Sequence, residues 1–156
     1  MKTILITELA PEFLIQGFSL NPDAGRFTGK VGRHEVELLA SVGSDAPLEG
    51  EAQIISLGLA RAAGQYRAGD ILMMGSDDLL DRAFQALDEM EQRGLVVNLP
   101  APDEQNTIFE PQDEALFGWV QTWKNKKLPF LCLCVVEPIG SEEQAKLVTL
   151  VRKIVS

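Results

Sequence analysis

The chain is poor in the residues from which recognisable active sites are usually assembled. Its one histidine, His34, excludes a multi-histidine metal site and a histidine relay. His34 sits beside Glu35 in a segment of strand-like alternation, with no serine or cysteine fixed near it, and reads as an ordinary strand residue. The only two cysteines, Cys132 and Cys134, stand two apart in the most apolar segment. In a strand they point from one face, a poor geometry for bonding each other, and apolar surroundings raise a thiol's pKa. Both are expected as buried free thiols. No apolar run approaches the roughly 18 residues of a membrane span. MKTILITELAPEF has a single lysine and a short apolar run broken by Glu8 and Glu12, a poor signal peptide and a good strand. A cytoplasmic location is expected, with no membrane partner.

Phosphate-binding loops are missing as well. Gly25, Gly29 and Gly32 surround Lys30 without the GxxxxGK[ST] spacing, and no GxGxxG occurs. Asp77, Asp78 and Asp81 are better explained by a helix start and a solvated face than by a divalent cation, which needs several oxygens converging on it. No cofactor, metal ion or catalytic residue is expected. Internal repeats, low-complexity tracts and linkers are absent too. The 156 residues therefore read as a single domain over 1–156, long enough to bury roughly two thirds of the unfolded surface.

What the chain does have is acid. The net charge is −9, and between Ser41 and Leu116 there are 15 acidic residues against 4 basic ones, whereas the part from Phe117 onward is mildly basic. Such a middle repels a nucleic-acid backbone and suits either a solubilising surface or a docking face for a basic protein.

Hydrophobic periodicity supplies the elements. Thr3–Leu9 and Phe13–Leu20 read as strands, followed by a turn at Asn21–Gly25; Phe27–Val31 and His34–Val42 read as strands joined at Gly32-Arg33. A loop covers Gly43–Gly50. From Glu51 to Ala63, Ile54, Ile55, Gly58, Leu59, Ala62 and Ala63 fall at helical spacing, which predicts an amphipathic helix ended by Gly64. Ile71–Met74 is a short buried strand. A helix over Asp77–Arg93 is expected to have Ser76 as N-cap and Gly94 as stop. Leu95–Leu99 is a strand, and Ile108-Phe109 a short extended piece. Gln112–Lys126 is a helix with Leu116, Trp119, Val120 and Trp123 on one side. Leu128–Val136 is the central strand, apolar on both faces. Pro138 and Gly140 then turn the chain into a last helix, Glu142–Val155, capped by Ser141. The fold class is α+β (mixed α/β), with about four helices on a mixed sheet.

Three segments, HEVELLASV, IISLGLARAAGQYRAGDIL and PFLCLCVVEPIGSEEQAKL, resemble the suppressor-of-fused domain family. The matching residues are Glu37 and Leu38; Leu59, Ala60, Arg61 and Gly69; and Phe130, Leu131, Pro138, Ile139, Glu142 and Glu143. The resemblance implies a mixed α/β fold and a non-catalytic protein-binding role, and small bacterial members resemble immunity proteins that neutralise a co-encoded toxin. The expected function is therefore a non-enzymatic immunity protein, monomeric or homodimeric, that holds a basic protein on its acidic surface. The expected contact residues are Asp77, Asp78, Asp81, Asp88, Asp103, Glu104 and Glu110, with Trp119 and Trp123 as anchors. An acidic secretion chaperone or adaptor, or an enzyme with an unrecognised site, are the alternatives.

Overall fold

A computed structural model describes residues 2–7, 12–23, 26–39, 52–62, 67–96, 109–111, 115–136 and 140–156. In chain order these form β1 (Lys2–Thr7), α1 (Glu12–Gly17), β2 (Asn21–Asp23), β3 (Arg26–Val31), β4 (His34–Leu39) and β5 (Ala52–Ala62). There follow β6 (Ile71–Gly75), α2 (Asp77–Glu89), β7 (Gly94–Val96), β8 (Phe109–Pro111), α3 (Ala115–Asn125), β9 (Phe130–Val136) and α4 (Ser141–Val155). Among the described residues this is one mixed sheet with four helices, the α/β class expected.

The sheet order is β2-β3-β4-β1-β5-β9-β6-β7, with β8 paired to β5. β4, β1, β5 and β9 run parallel, while β3 is antiparallel to β4 and β6 is antiparallel to β9. Central parallel strands must be covered on both faces, and alternate residues show that they are. Leu5, Ile55, Leu57, Leu131, Leu133 and Val135 face one core, shared with Leu14 of α1, Leu79 and Leu87 of α2, and Leu150 and Ile154 of α4. Ile4, Ile54, Phe130, Cys132 and Cys134 face a second core with Val120 and Trp123 of α3. All seven residues of β9 are buried, as its apolar run predicts.

Three expectations are corrected here. The stretch predicted as a helix over Glu51–Ala63 is β5, the longest strand, lying between β1 and β9. Being buried on both faces, it carries apolar residues at every spacing, so a helical stripe can be picked out of it as easily as a strand. The segment predicted as a strand over Phe13–Leu20 instead forms α1 and the turn after it, with Leu14 and Phe18 in the core. The turn predicted at Asn21–Gly25 begins as β2, paired with β3.

Helix α2 also ends earlier than Arg93. Its stop is Glu91, in the left-handed region at φ 55°, with the Gln92 N–H bonded back to the Leu87 carbonyl at 2.9 Å. The same closure recurs at Ser19 after α1, where Leu20 N–H reaches Ile15, and at Lys127 after α3, where Leu128 N–H reaches Trp123. This is the six-to-one bond of a helix C-cap, made three times here without the glycine that usually supplies the conformation. Ser76 does not cap α2 through its side chain; its Oγ accepts the Phe130 N–H at 3.1 Å and ties the start of β9 to the end of β6. At α4, the predicted cap Ser141 is the first helical residue and Gly140 the cap, whose N–H donates to Glu143 Oε2 at 2.8 Å. Leu147, Leu150, Val151 and Ile154 form the buried stripe predicted for this helix.

Candidate functional site

Because β4, β1, β5 and β9 are parallel, their carboxyl ends, Leu39, Thr7, Ala62 and Val136, all reach the same edge of the sheet. In open α/β sheets that edge is where ligands bind, since the connecting segments can splay apart there. β5 overshoots its neighbour: Ala60 pairs with Val136, and Arg61 and Ala62 extend past β9 to pair with Glu110 and Phe109 of β8.

β6 enters the sheet from this edge, being antiparallel to β9. The turn before it is fixed by Gly69 at φ +89°, by Asp70 Oδ2 accepting the Arg67 N–H at 3.0 Å, and by two backbone bonds to Val136. α4 starts beside it. The hydrogen bonds from Gly140 and from Glu143's own backbone N–H hold the Glu143 carboxyl below the usual carboxylate range. Between this turn, the Gln92-Arg93 segment and the first turns of α4 lies a cleft of about 180 Å³, with Val135 and Ile71 in its wall. Its polar side chains are Asp70, Gln92, Arg93, Glu143 and Lys146. Lys146 Nζ lies 3.7 Å from the exposed Glu142, a loose pair. Arg93 has no carboxylate partner among the described residues.

The residues predicted for partner binding are not brought together there. Asp77, Asp78, Asp81 and Asp88 are exposed on α2, which leaves the sheet from the carboxyl end of β6, the opposite edge. Glu110 lies on β8, its backbone opposite Arg61, and Trp119 lies on α3. Asp103 and Glu104 fall outside the described residues. Trp123 is fully buried 5.8 Å from the Phe130 ring, so it is a core residue and not an interface anchor. His34 opens β4 and is half-buried, lining a separate cleft with Arg82, Glu89 and Lys153. Cys132 and Cys134 are buried free thiols as expected, and burial pushes the Cys132 thiol far above its ordinary range. Sequence reasoning missed Asp70, Arg93 and Lys146. The one local signal was the polar pair Gly69-Asp70 directly before a buried strand.

A buried charge lies elsewhere on the sheet. Glu37 of β4, 5% exposed, meets Lys2 at 3.1 Å and Arg26 at 3.0 Å. Burial pushes its carboxyl up, but the hydrogen bonds and charges of Arg26 and Lys2 outweigh that and leave it lowered. With both partners supplied by neighbouring strands, the triad is a fastening of β1, β3 and β4.

No known protein family matches the chain by sequence profile, and no curated protein matches it. Solved structures do. A 5′-methylthioadenosine/S-adenosylhomocysteine nucleosidase from Colwellia psychrerythraea, in complex with adenine, superposes with a TM-score of 0.68 at 14% identity, over 99% of this chain and 94% of that one. A futalosine hydrolase mutant of Helicobacter pylori gives 0.74 at 9% identity, over 99% and 98%. The methylthioadenosine nucleosidase of Helicobacter pylori gives 0.73 at 10%, over 99% of both chains.

At such identities the likeness is one of fold, and it overturns the suppressor-of-fused resemblance. That resemblance leaned on IISLGLARAAGQYRAGDIL as a helix, and its first nine residues, Ile54–Ala62, belong to β5. The expectations built on it are corrected together: a non-catalytic, toxin-neutralising immunity protein, and a basic protein as its partner. The structures that share this architecture are named as hydrolytic enzymes of small molecules. Among the described residues, no helix is long and apolar enough to cross a membrane.

Proposed function

We propose that this protein is an enzyme that hydrolyses the N-glycosidic bond of purine nucleosides at the carboxyl edge of β4, β1, β5 and β9. The observation that carries the proposal is a fold shared along 99% of the chain with a nucleosidase crystallised with adenine and with futalosine hydrolase.

Hydrolysis of a glycosidic bond calls for two carboxyls. One, as carboxylate, takes a proton from the attacking water; the other, as acid, gives a proton to the leaving nitrogen of the base. The C–N bond breaks as the C–O bond forms, through an oxocarbenium-like sugar. Of the four parallel strands, two run directly into an acid in the sequence: Glu8 follows Thr7 at the end of β1, and Glu137 follows Val136 at the end of β9. β4 and β5 run into Ala40 and Ala63. Only β5 separates β1 from β9, and because Thr7 pairs with Leu57 and Val136 with Ala60, the two strand ends lie two strand spacings apart and three residues offset, roughly 14 Å. Both glutamates lie outside the described residues, so their places in the sequence are what support their roles. A cytoplasmic setting belongs to the same proposal, supported by the two free thiols of the core.

The test is adenine release from 5′-methylthioadenosine and S-adenosylhomocysteine by the purified protein, followed by chromatography, with futalosine as a third substrate. Glu8→Gln and Glu137→Gln should each lower kcat by about 10²–10⁴ while the protein stays folded. Failure to release a base from any of the three substrates, or full activity in both variants, would overturn the proposal.

A further inference from the structure

We infer that the cleft where β4 begins and α4 ends is a binding site for a small phosphate monoester, with Arg82 as the main phosphate ligand. The cleft has a volume of about 390 Å³ and lies at the end of β4 opposite Leu39, away from the carboxyl edge. His34 alternates with Val36 and Leu38, which share one core with α2 and α4, so all three elements meet on this face of the sheet. Ala86 of α2 and Val155 of α4, both buried, form the floor. His34, Arg82, Gln85 and Lys153 stand around it.

Three features choose the ligand class. The first is a surplus of open donors. Among the described residues, the side chains of His34, Arg82 and Gln85 have no hydrogen-bond or ion-pair partner, while Glu89 of the same cleft is taken by Lys153 at 2.9 Å. Arg82 stays open although α2 is rich in acid and Asp78 stands only four residues before it. A guanidinium presents a planar fork of N–H groups that matches two phosphate oxygens, and an imidazole N–H and an amide add further donors. The second feature is size: about 390 Å³ corresponds to about thirteen water volumes, more than a bare phosphate fills and enough for one carrying a sugar-sized group. Ala86 and Val155 give the carbon skeleton of such a group an apolar floor. The third is the surrounding charge. Asp78 and Asp81 are exposed on the same helix and repel an extended polyanion, so the cleft suits a small ligand and not a nucleic-acid backbone.

Ribose 5-phosphate and ribose, which differ only in the phosphate, test the site by calorimetry on the full chain. The wild type should bind the first and not the second, and inorganic phosphate should displace the bound sugar phosphate. Arg82→Ala should weaken binding of ribose 5-phosphate by roughly 10- to 100-fold, the range for hydrogen bonds to a charged group, and Arg82→Lys should recover part of the loss. Arg82 is exposed, so both variants should keep the wild-type melting temperature without ligand. Arg93→Ala, in the cleft beside β9, and Glu137→Gln, beyond the end of that strand, should bind as the wild type does. Equal binding of ribose and its phosphate, a loss in Arg93→Ala or Glu137→Gln in place of Arg82→Ala, or no binding of ribose 5-phosphate to the wild type overturns the proposal. Base release from nucleosides is a separate measurement, and its outcome leaves this site standing or falling on its own.

Discussion

Gly75 is the position at which one added methyl group should do most damage to the sheet. It ends β6 opposite Leu131 of β9, and a Cβ built on it would lie 2.4 Å from the Phe130 carbonyl oxygen and 2.9 Å from the Leu131 Cα. Both are backbone atoms, so no side-chain rotation relieves the clash, and the two strands must separate. Separation strains the bonds beside it, Ser76 N–H to the Phe130 carbonyl at 2.9 Å and Phe130 N–H to Ser76 Oγ at 3.1 Å. Overpacking of this kind costs about 1–3 kcal/mol. Weakening two hydrogen bonds adds up to about 1 kcal/mol each, so Gly75→Ala should cost roughly 2–4 kcal/mol. In urea, with a slope of about 1–3 kcal/mol per M, the unfolding midpoint should fall by roughly 1–2 M. Gly32→Asn is the matched control: Gly32 has φ +62° with nothing within 4 Å of its Cβ position, and asparagine visits that conformation at little cost. A Gly75→Ala midpoint within about 0.3 M of wild type would refute the clash, and with it the close approach of β6 to β9.

Two further predictions concern stability. Glu37→Gln should destabilise the protein at pH 7 by roughly 1–3 kcal/mol, the scale of hydrogen bonds to charged groups, here from the partly exposed Lys2 and Arg26. Because the folded-state pKa of Glu37 lies below its ordinary 4.5, its contribution is fully present above 4.5 and is lost as pH falls through the lowered value. Urea titrations of both proteins should therefore converge as pH drops from 7 toward 3; a gap that stays constant would mean the ion triad is not its source. Glu91→Gly places the preferred residue at the left-handed stop of α2, and thermal melts should show a gain of up to about 1 kcal/mol. A loss in its place would show that the Glu91 side chain matters more than its backbone.

The fold was legible wherever an element had one wet face or one buried stripe. α4 shows its core stripe at helical spacing with acids in the first turn, and β3 and β4 alternate about the turn at Gly32. β9 could be recognised by its unbroken apolar run and the proline that follows it. The same property hid β5. A strand covered on both faces has no alternation to read, and eleven residues is a length more typical of a helix. α1 failed for the opposite reason, since six residues hold too few turns for a helical period to stand out.

Losing β5 also removed the site from view. With the Glu51–Ala63 stretch read as a helix, nothing lies between β1 and β9, and the ends of these two strands have no reason to meet at one edge. Once β5 is placed between them, pairing in parallel with both, Thr7 and Val136 are delivered to the same side of the sheet. Charge density misled in a complementary way. The aspartates of α2 are conspicuous in the sequence, yet β6 runs antiparallel to β9 and sends α2 off from the other edge. The same reversal brings the amino end of β6, with Asp70, to the carboxyl end of β9. In this sheet, therefore, strand direction sorts the described acids: it carries the aspartates of α2 away from the candidate site and brings Asp70 to its edge.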